Sequence, residues 1–307
     1  VSALAAGIDI GGSGTKACLV ADTKPIGTTT QPTEMTAGGG LGDLVITALK
    51  RTLSEAGRDL DQVTSIGIGV PGQVNDGVVR HAANLGIDET GFDLGGYVSS
   101  ATQVATFVEN DMRVAAYGAY TQSVSIHPAM RNLVYVGLGT GVSAGVVING
   151  EVFRGSRGLA GEFGHVPMGT GIVCVCGSVG CLETVIGATA LGKEWQQTPV
   201  SSLFQSAAGG DMRAAALAAR AIDHLAKAMW WLAATYDPDL FYLGGGVGIG
   251  APSIMSMVAA RWAELEGDSE LARRVLDPSR IRMYDLEEPV GAYGAALLGA
   301  DLARSPG

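Results

Sequence analysis

No apolar run in this sequence of 307 residues approaches the roughly 20 residues that a membrane-crossing helix needs. Glycine or charge interrupts even the richest stretches. The opening segment VSALAAGIDIGG has no basic flank of the secretory kind and runs straight into a predicted strand. Cations are scarce as well: 20 Lys and Arg stand against 30 Asp and Glu, a formal charge of −10. That balance argues against a nucleic-acid or membrane partner, because such binding relies on clustered positive charge. A disulfide framework is missing too. Three of the four cysteines fall within eight residues and Cys18 stands alone in a predicted strand, which is metal-site spacing and fits a reducing cytoplasm. Neither a Walker phosphate loop nor a dinucleotide fingerprint is present. The run GLGTGV at 137–142 leads into β-rich sequence, whereas the dinucleotide motif must open a helix.

What the chain does have is apolar residues, 47% of the total, and 46 glycines gathered in short loops. The first supplies a substantial core; the second suggests backbone brought close to ligands. Alternation predicts strands at 5–10 and 16–21 around the turn Gly11-Gly12-Ser13-Gly14, then strands near 65–70 and 104–108. Helical spacing predicts helices over 43–57, with Ile46, Leu49 and Leu53 inward, and over 112–121. The second half opens with the same unit, a strand at 133–136, a glycine turn at 137–141 and a strand at 142–148. A long helix follows at 211–236, with Leu217, Ala221, Leu225, Met229, Leu232 and Tyr236 as its buried stripe. Then come a strand at 239–243, the loop Gly244–Gly248 and helices near 252–266 and 290–304. Two similar halves of mixed strands and helices make an α/β fold with a central cleft. The expected division is 1–111 plus 290–307 as a smaller domain and 112–289 as a larger one, the latter carrying a metal-binding segment at 165–181.

Four motifs carry chemistry. His165, Cys174, Cys176 and Cys181 supply three thiolates and an imidazole, a closed tetrahedral shell of the kind that holds structural Zn²⁺. Glu162 and Glu183 flank that cluster and suit hydrogen bonds from a polyol, although solvated acids give the same pattern. Asp9 precedes a loop in which Gly11, Gly12 and Gly14 let backbone N–H groups approach phosphate, with Thr15 and Lys16 adding a hydroxyl and a charge. Asp9 would hold Mg²⁺ through water. The echo at Gly139, Thr140 and Gly141 suggests a second phosphate loop, and Gly245 and Gly246 lie in a loop suited to approach adenosine. Asp111, at a predicted helix start, is placed to accept a proton from an attacking alcohol; an N-cap is the plainer reading. His81, His127 and His224 read as structural or surface residues.

Together the segments GIDIGGSGTK, GIGVPGQV, VENDMRVAAYG, GLGTGVSAG, GLAGEFGHVPMGTGIVCVCGSVGCLE and LGGGVG resemble the ROK family of sugar kinases and related repressors. The resemblance implies the actin-like, hexokinase-type (ribonuclease H-like) two-lobed ATPase fold, ATP with Mg²⁺ as phosphoryl donor, and a homodimer. It implies Asp111 as catalytic base and Asn110, Glu162, His165 and Glu183 as sugar contacts, with Asn84 a further one. His165 would then serve metal and sugar through different ring nitrogens. The expected reaction is transfer to a hexose hydroxyl, O6 of glucose or of a close derivative such as an amino sugar. Three departures stand out. The first loop carries one residue more than DxGGTK, a form similar to that of polyphosphate-using glucokinases. Arg113 replaces the usual residue behind Asp111, and Gly86-Ile87-Asp88-Glu89-Thr90 replaces NLPGW. The alternative from another class is a sugar-sensing regulator, which needs a DNA-binding segment ahead of Asp9.

Overall fold

The computed structural model describes residues 3–34, 40–284 and 289–304; the outermost limits expected for the smaller domain, 1 and 307, lie outside them. The chain forms two compact units, one of Val1–Pro128, Val152–Leu159 and Leu286–Gly307, the other of Ala129–Glu151 and Ala160–Asp285.

The first unit is built on β1 (Leu4–Ile10), β2 (Gly14–Ala21), β3 (Lys24–Pro32), β4 (Val63–Val70) and β8 (Thr106–Asn110). They lie side by side in the order β3-β2-β1-β4-β8. The strands β1 and β2 form an antiparallel hairpin, whereas β4 and β8 run parallel to β1. Between them come β5 (Gln73–Asn75), β6 (Val78–Arg80) and β7 (Phe92–Asp93), which make a small separate sheet. Helix α1 (Leu41–Glu55) buries Leu41, Leu44, Val45, Leu49 and Leu53, while Ile46 is only half-buried. Helices α2 (Leu94–Thr102) and α3 (Asp111–Ile126) follow.

The last helix, Val290–Arg304, lies so close to β1, β4 and α3 that side chains are excluded at the crossings. A Cβ on Gly7 would fall 1.9 Å from the Ala292 carbonyl oxygen, one on Gly67 1.8 Å from that of Ala295, and one on Gly294 1.9 Å from that of Val114. Real Cβ contacts are never that short, so these three crossings need glycine. This packing groups α3 with the first unit.

The second unit repeats the plan. Its strands are β9 (Leu133–Leu138), β10 (Val142–Ile148), β11 (Glu151–Val152), β12 (Leu240–Gly244) and β13 (Ile281–Met283), in the order β11-β10-β9-β12-β13. Again the first two strands pair antiparallel, and β12 and β13 continue in parallel. The helices are α4 (Glu183–Ile186), α5 (Ala188–Trp195), α6 (Ser202–Ala208), α7 (Met212–Tyr236), α8 (Gly245–Gly250), α9 (Ser253–Glu266) and α10 (Glu270–Val275). Asp211 caps α7 by accepting from the Ala214 N–H at 2.9 Å. The predicted stripe of α7 is buried from Leu217 to Leu232, and Tyr236 packs half-buried at its end. The segment expected as a loop at 244–248 instead starts α8 directly after β12. Among the described residues no helix is long and apolar enough to cross a membrane.

Candidate functional site

In the first unit, strand register brings the acids together. Asp9 pairs with Lys16 across the β1–β2 hairpin and with Gly69 of β4 on the other side. Gly69 in turn pairs with Glu109, two residues before Asp111. A Cβ on Gly69 would lie 3.4 Å from Asp9 Oδ1 and 3.6 Å from the Cα of Asp111. Burial and the charge of Asp111 push the Asp9 carboxyl up to about 7, against the lowering influence of Lys16. An acid held in this way is a ready ligand for a cation, which would restore its charge.

Thr15 lies one step further along the hairpin, paired with Ile10, and therefore points to the opposite face from Lys16. It is buried, and its hydroxyl is 2.9 Å from that of Thr33, which donates to the Gly11 carbonyl at 2.8 Å. The hydroxyl read from the sequence as a phosphate contact is thus engaged in bracing the turn. The Gly11 N–H closes that turn on the Gly14 carbonyl at 3.0 Å, and Gly12 faces open space.

Helix α3 begins at Asp111, and its cap is Asn110. Asn110 Oδ1 accepts from the N–H groups of Met112 (3.0 Å) and Arg113 (3.4 Å), while Nδ2 donates to the Gly72 carbonyl at 3.2 Å. The capping alternative raised for Asp111 therefore belongs to its neighbour. Asp111 sits half-exposed at the first helical position, where the macrodipole favours a carboxylate. Its Oδ1 accepts from the Met112 N–H at 2.9 Å. Asn84 is exposed in a short turn, Ala83–Leu85. In the departure that follows it, Asp88 is committed to a local turn, accepting from the Thr90 N–H (2.8 Å) and hydroxyl (2.6 Å).

In the second unit, the cysteine cluster assembles as the spacing implies. Among the described residues His165, Cys174, Cys176 and Cys181 bring their ligand atoms within 4.8 Å of one another. Zinc–sulfur bonds of about 2.3 Å place the corners of a tetrahedron roughly 3.8 Å apart. Cys176 Sγ and Cys181 Sγ are 3.7 Å apart, as are Cys174 Sγ and His165 Nδ1, so the donor set fits zinc in both chemistry and size. Gly177 (φ +87°) and Gly180 (φ +88°) make the turns between ligands in a conformation that side chains resist. Burial pushes the Cys181 thiol upward, while a backbone hydrogen bond from Ser178 draws that of Cys176 down. His165 turns its other nitrogen, Nε2, toward Glu162 Oε2 at 3.9 Å, and both side chains remain accessible.

Glu183 is placed differently from a simple neighbour of the cluster. Its Oε2 accepts the Val142 N–H at 3.1 Å, and a Cβ on Gly141 would lie 2.0 Å from that oxygen. The carboxylate thus lies directly on the Gly139–Gly141 turn. The start of α5 holds the same turn, since the Ala188 and Thr189 N–H groups donate to the carbonyls of Gly139 (2.9 Å) and Thr140 (3.2 Å). Thr140 is exposed, and Gly246 faces open space at the start of α8.

Sequence reasoning did not single out Glu109 or Arg154. The buried Glu109 pairs with both Arg113, also buried, and the more exposed Arg154 at the α3 start, a network signalled in the sequence only by the four-residue spacing of Glu109 and Arg113.

The model of the ROK family matches residues 5–301. A glucokinase of Halalkalibacterium halodurans is 28% identical over 95% of this chain and 93% of its own length. An N-acetylmannosamine kinase of Yersinia pseudotuberculosis is 31% identical over 83% of this chain and 87% of its own. Among solved structures, a ROK family glucokinase from Streptomyces griseus in complex with glucose and AMPPNP superposes with a TM-score of 0.79 at 26% identity, covering 97% of this chain and 99% of that one. The actin-like, hexokinase-type α/β fold expected from the sequence is the fold of these neighbours.

Proposed function

The chain belongs to the ROK family, and on that footing we propose that it is a sugar kinase transferring the γ-phosphoryl group of Mg·ATP to a hexose hydroxyl. The observation that carries this reading is the placement of Asp111. Asn110 takes over the capping of α3, which leaves the Asp111 carboxylate at the helix start with Asp9 nearby. Asp111 orients the acceptor hydroxyl and takes its proton as the oxygen attacks phosphorus. General-base help of this kind is worth about 10²–10⁴ in rate; the rest comes from positioning and charge neutralisation, because phosphoryl transfer passes through a loose transition state.

In the first unit Asn84 and Asn110, and in the second Glu162, His165 through Nε2 and Glu183, are the residues that would contact sugar hydroxyls; O6, the least hindered hydroxyl, is the acceptor position. In the first unit the glycine turn at 11–14 would hold phosphate with Lys16; in the second the turn at 139–141 would offer backbone to phosphate, and Gly245 and Gly246 would approach the nucleoside. Asp9 is the residue that would hold Mg²⁺, which supplies charge neutralisation to the polyphosphate when bound. His165, Cys174, Cys176 and Cys181 would hold Zn²⁺, whose contribution is to brace the segment presenting Glu162 and His165. Glucose and N-acetylmannosamine, the sugars in the names of the relatives, are the first acceptors to try.

A coupled ADP-release assay over hexoses and amino sugars tests the reading, with polyphosphate replacing ATP in a parallel series. Asp111→Asn is expected to lower kcat by about 10²–10⁴ while sugar binding persists. Near-normal turnover of that variant would remove Asp111 from its role, and no turnover of any sugar by the unaltered protein would remove the kinase reading.

A further inference from the structure

Behind Asp111 lies a charged network that the proposed chemistry does not use. Glu109 and Arg113 sit two residues to either side of Asp111, and both are buried, Arg113 to 1% exposure. Glu109 Oε1 accepts from the Asn110 N–H (2.8 Å) and from Arg113 Nη1 (2.6 Å), and Oε2 accepts from Arg154 Nε. Arg113 Nη2 donates to the Gly158 carbonyl at 2.5 Å. Arg154 and Gly158 belong to the stretch 152–159, which packs within the first unit. Gln73 Nε2 holds the same stretch by donating to the Arg157 carbonyl at 2.6 Å, with Asn75 Nδ2 at 3.4 Å from that oxygen. Four residues beyond Gly158 along the chain stands Glu162.

A buried ion pair is poor evidence of stabilisation. Removing two charges from water costs several kcal/mol per ion, and well-packed apolar residues often do as well or better. Arg113 Nε also has no hydrogen-bond partner among the described residues, a further cost. What the pair does supply is geometry. A guanidinium is a rigid planar fork. One arm here holds the carboxylate preceding the Asn110–Asp111 junction, and the other holds the Gly158 carbonyl of the stretch 152–159.

We propose that Arg113 is a positioning residue for phosphoryl transfer. Acting through Glu109 and the Gly158 carbonyl, it clamps the Asp111-bearing turn to the stretch 152–159 within the first unit and so holds the base in place. The proposal rests on the kinase reading, with Asp111 as base. Arg113 itself touches neither substrate. A misplacement of about 1 Å at a reacting group can cost on the order of 10²-fold in rate, so loosening the clamp lowers kcat even where stability is restored.

The test compares Arg113→Met, Arg113→Lys and the double variant Glu109→Leu/Arg113→Met, with thermal unfolding and steady-state kinetics for each. Removing both charges leaves Arg154 free to turn to solvent, since its side chain is 43% exposed. The double variant is expected to regain most of the melting temperature lost by Arg113→Met yet to keep a kcat about 10–100-fold below the unaltered protein. The KM for ATP should stay within about twofold, as uniform binding is untouched. Lysine, a single point charge, is expected to recover only part of kcat. If the double variant recovers kcat along with stability, the pair is merely structural and the proposal is overturned. If Arg113→Met fails to fold, the lysine variant decides: a folded lysine protein with normal kcat overturns the clamp. Asp111→Asn in the same assay separates the two ideas, because near-normal turnover there removes the base whatever Arg113 does.

Discussion

Asp9 and Asp111 flank Gly69, close enough that the charge of one raises the proton affinity of the other. The ordinary Asp value of 3.8 becomes about 7 for Asp9 in the folded protein, a cost to the charged form on the order of 4 kcal/mol. The folded state therefore binds more protons than the unfolded one between these values. Metal-free protein is expected to lose stability as pH rises from about 4 to about 7 and to level off above that. Thermal melts across this range check the sign. In Asp111→Asn the fall should shrink without vanishing, because burial is the larger cause. An unchanged fall would mean that the two acids do not interact.

Gly291, the second residue of the last helix, lies against the Asp9 carboxylate, and a Cβ there would lie 2.3 Å from Asp9 Oδ2. Gly291→Ala is expected to turn Asp9 aside while the helix gains up to about 1 kcal/mol of intrinsic propensity. The measurable outcome is a raised Mg²⁺ requirement and a lowered kcat, by about 10-fold or more, with an unchanged circular dichroism spectrum. Unaltered Mg²⁺ dependence would count against Asp9 as the cation-holding residue.

Gly141→Ala makes the corresponding test on the second turn. The new methyl collides with Glu183 Oε2 at 2.0 Å, so Glu183 must release the Val142 N–H. The KM for ATP and for sugar should rise together if this carboxylate serves both the turn and the sugar. A rise in the ATP value alone would restrict Glu183 to the turn.

The metal cluster has its own expectation. Elemental analysis should find about one zinc per chain, and Cys174→Ser or Cys181→Ser should lose it, lowering the melting temperature and weakening sugar binding. Because the thiols must shed protons to bind metal, and burial raises that of Cys181, zinc is expected to leave as pH falls. Fully active, zinc-free protein with an unchanged melting temperature would remove the site.

Much of this arrangement is visible in the sequence because short-range pattern and spacing carry it. The repeated strand–glycine–strand unit, the stripe of α7 and the four metal ligands all announce themselves within a few residues. What escapes has physical reasons. The strand β3 is an edge strand with Pro25 and Pro32 and alternating exposure, so it lacks the apolar signal of a buried strand. Strands β5–β7 are two or three residues long, too short for any period to show. Thr15 reads as a loop residue until the hairpin register turns it toward Thr33. The capping of α3 by Asn110 rather than Asp111 shifts the helix boundary by one residue, within the usual uncertainty of helix ends, and puts Asp111 at the first helical position. Glu109 and Arg154 are 45 residues apart, and only the fold brings them together.

The two matched sheets carry one last implication. Laid over each other by strand order, Asp9 and Lys16 of the first hairpin correspond to Gly137 and Ser143 of the second. The first hairpin carries an acid and a base at this register position, and the second carries small, neutral residues. Each turn is thus set by its own sheet. Gly137→Asp would bury a carboxylate inside β9, and thermal melts should show it to be far more destabilising than Gly137→Ala.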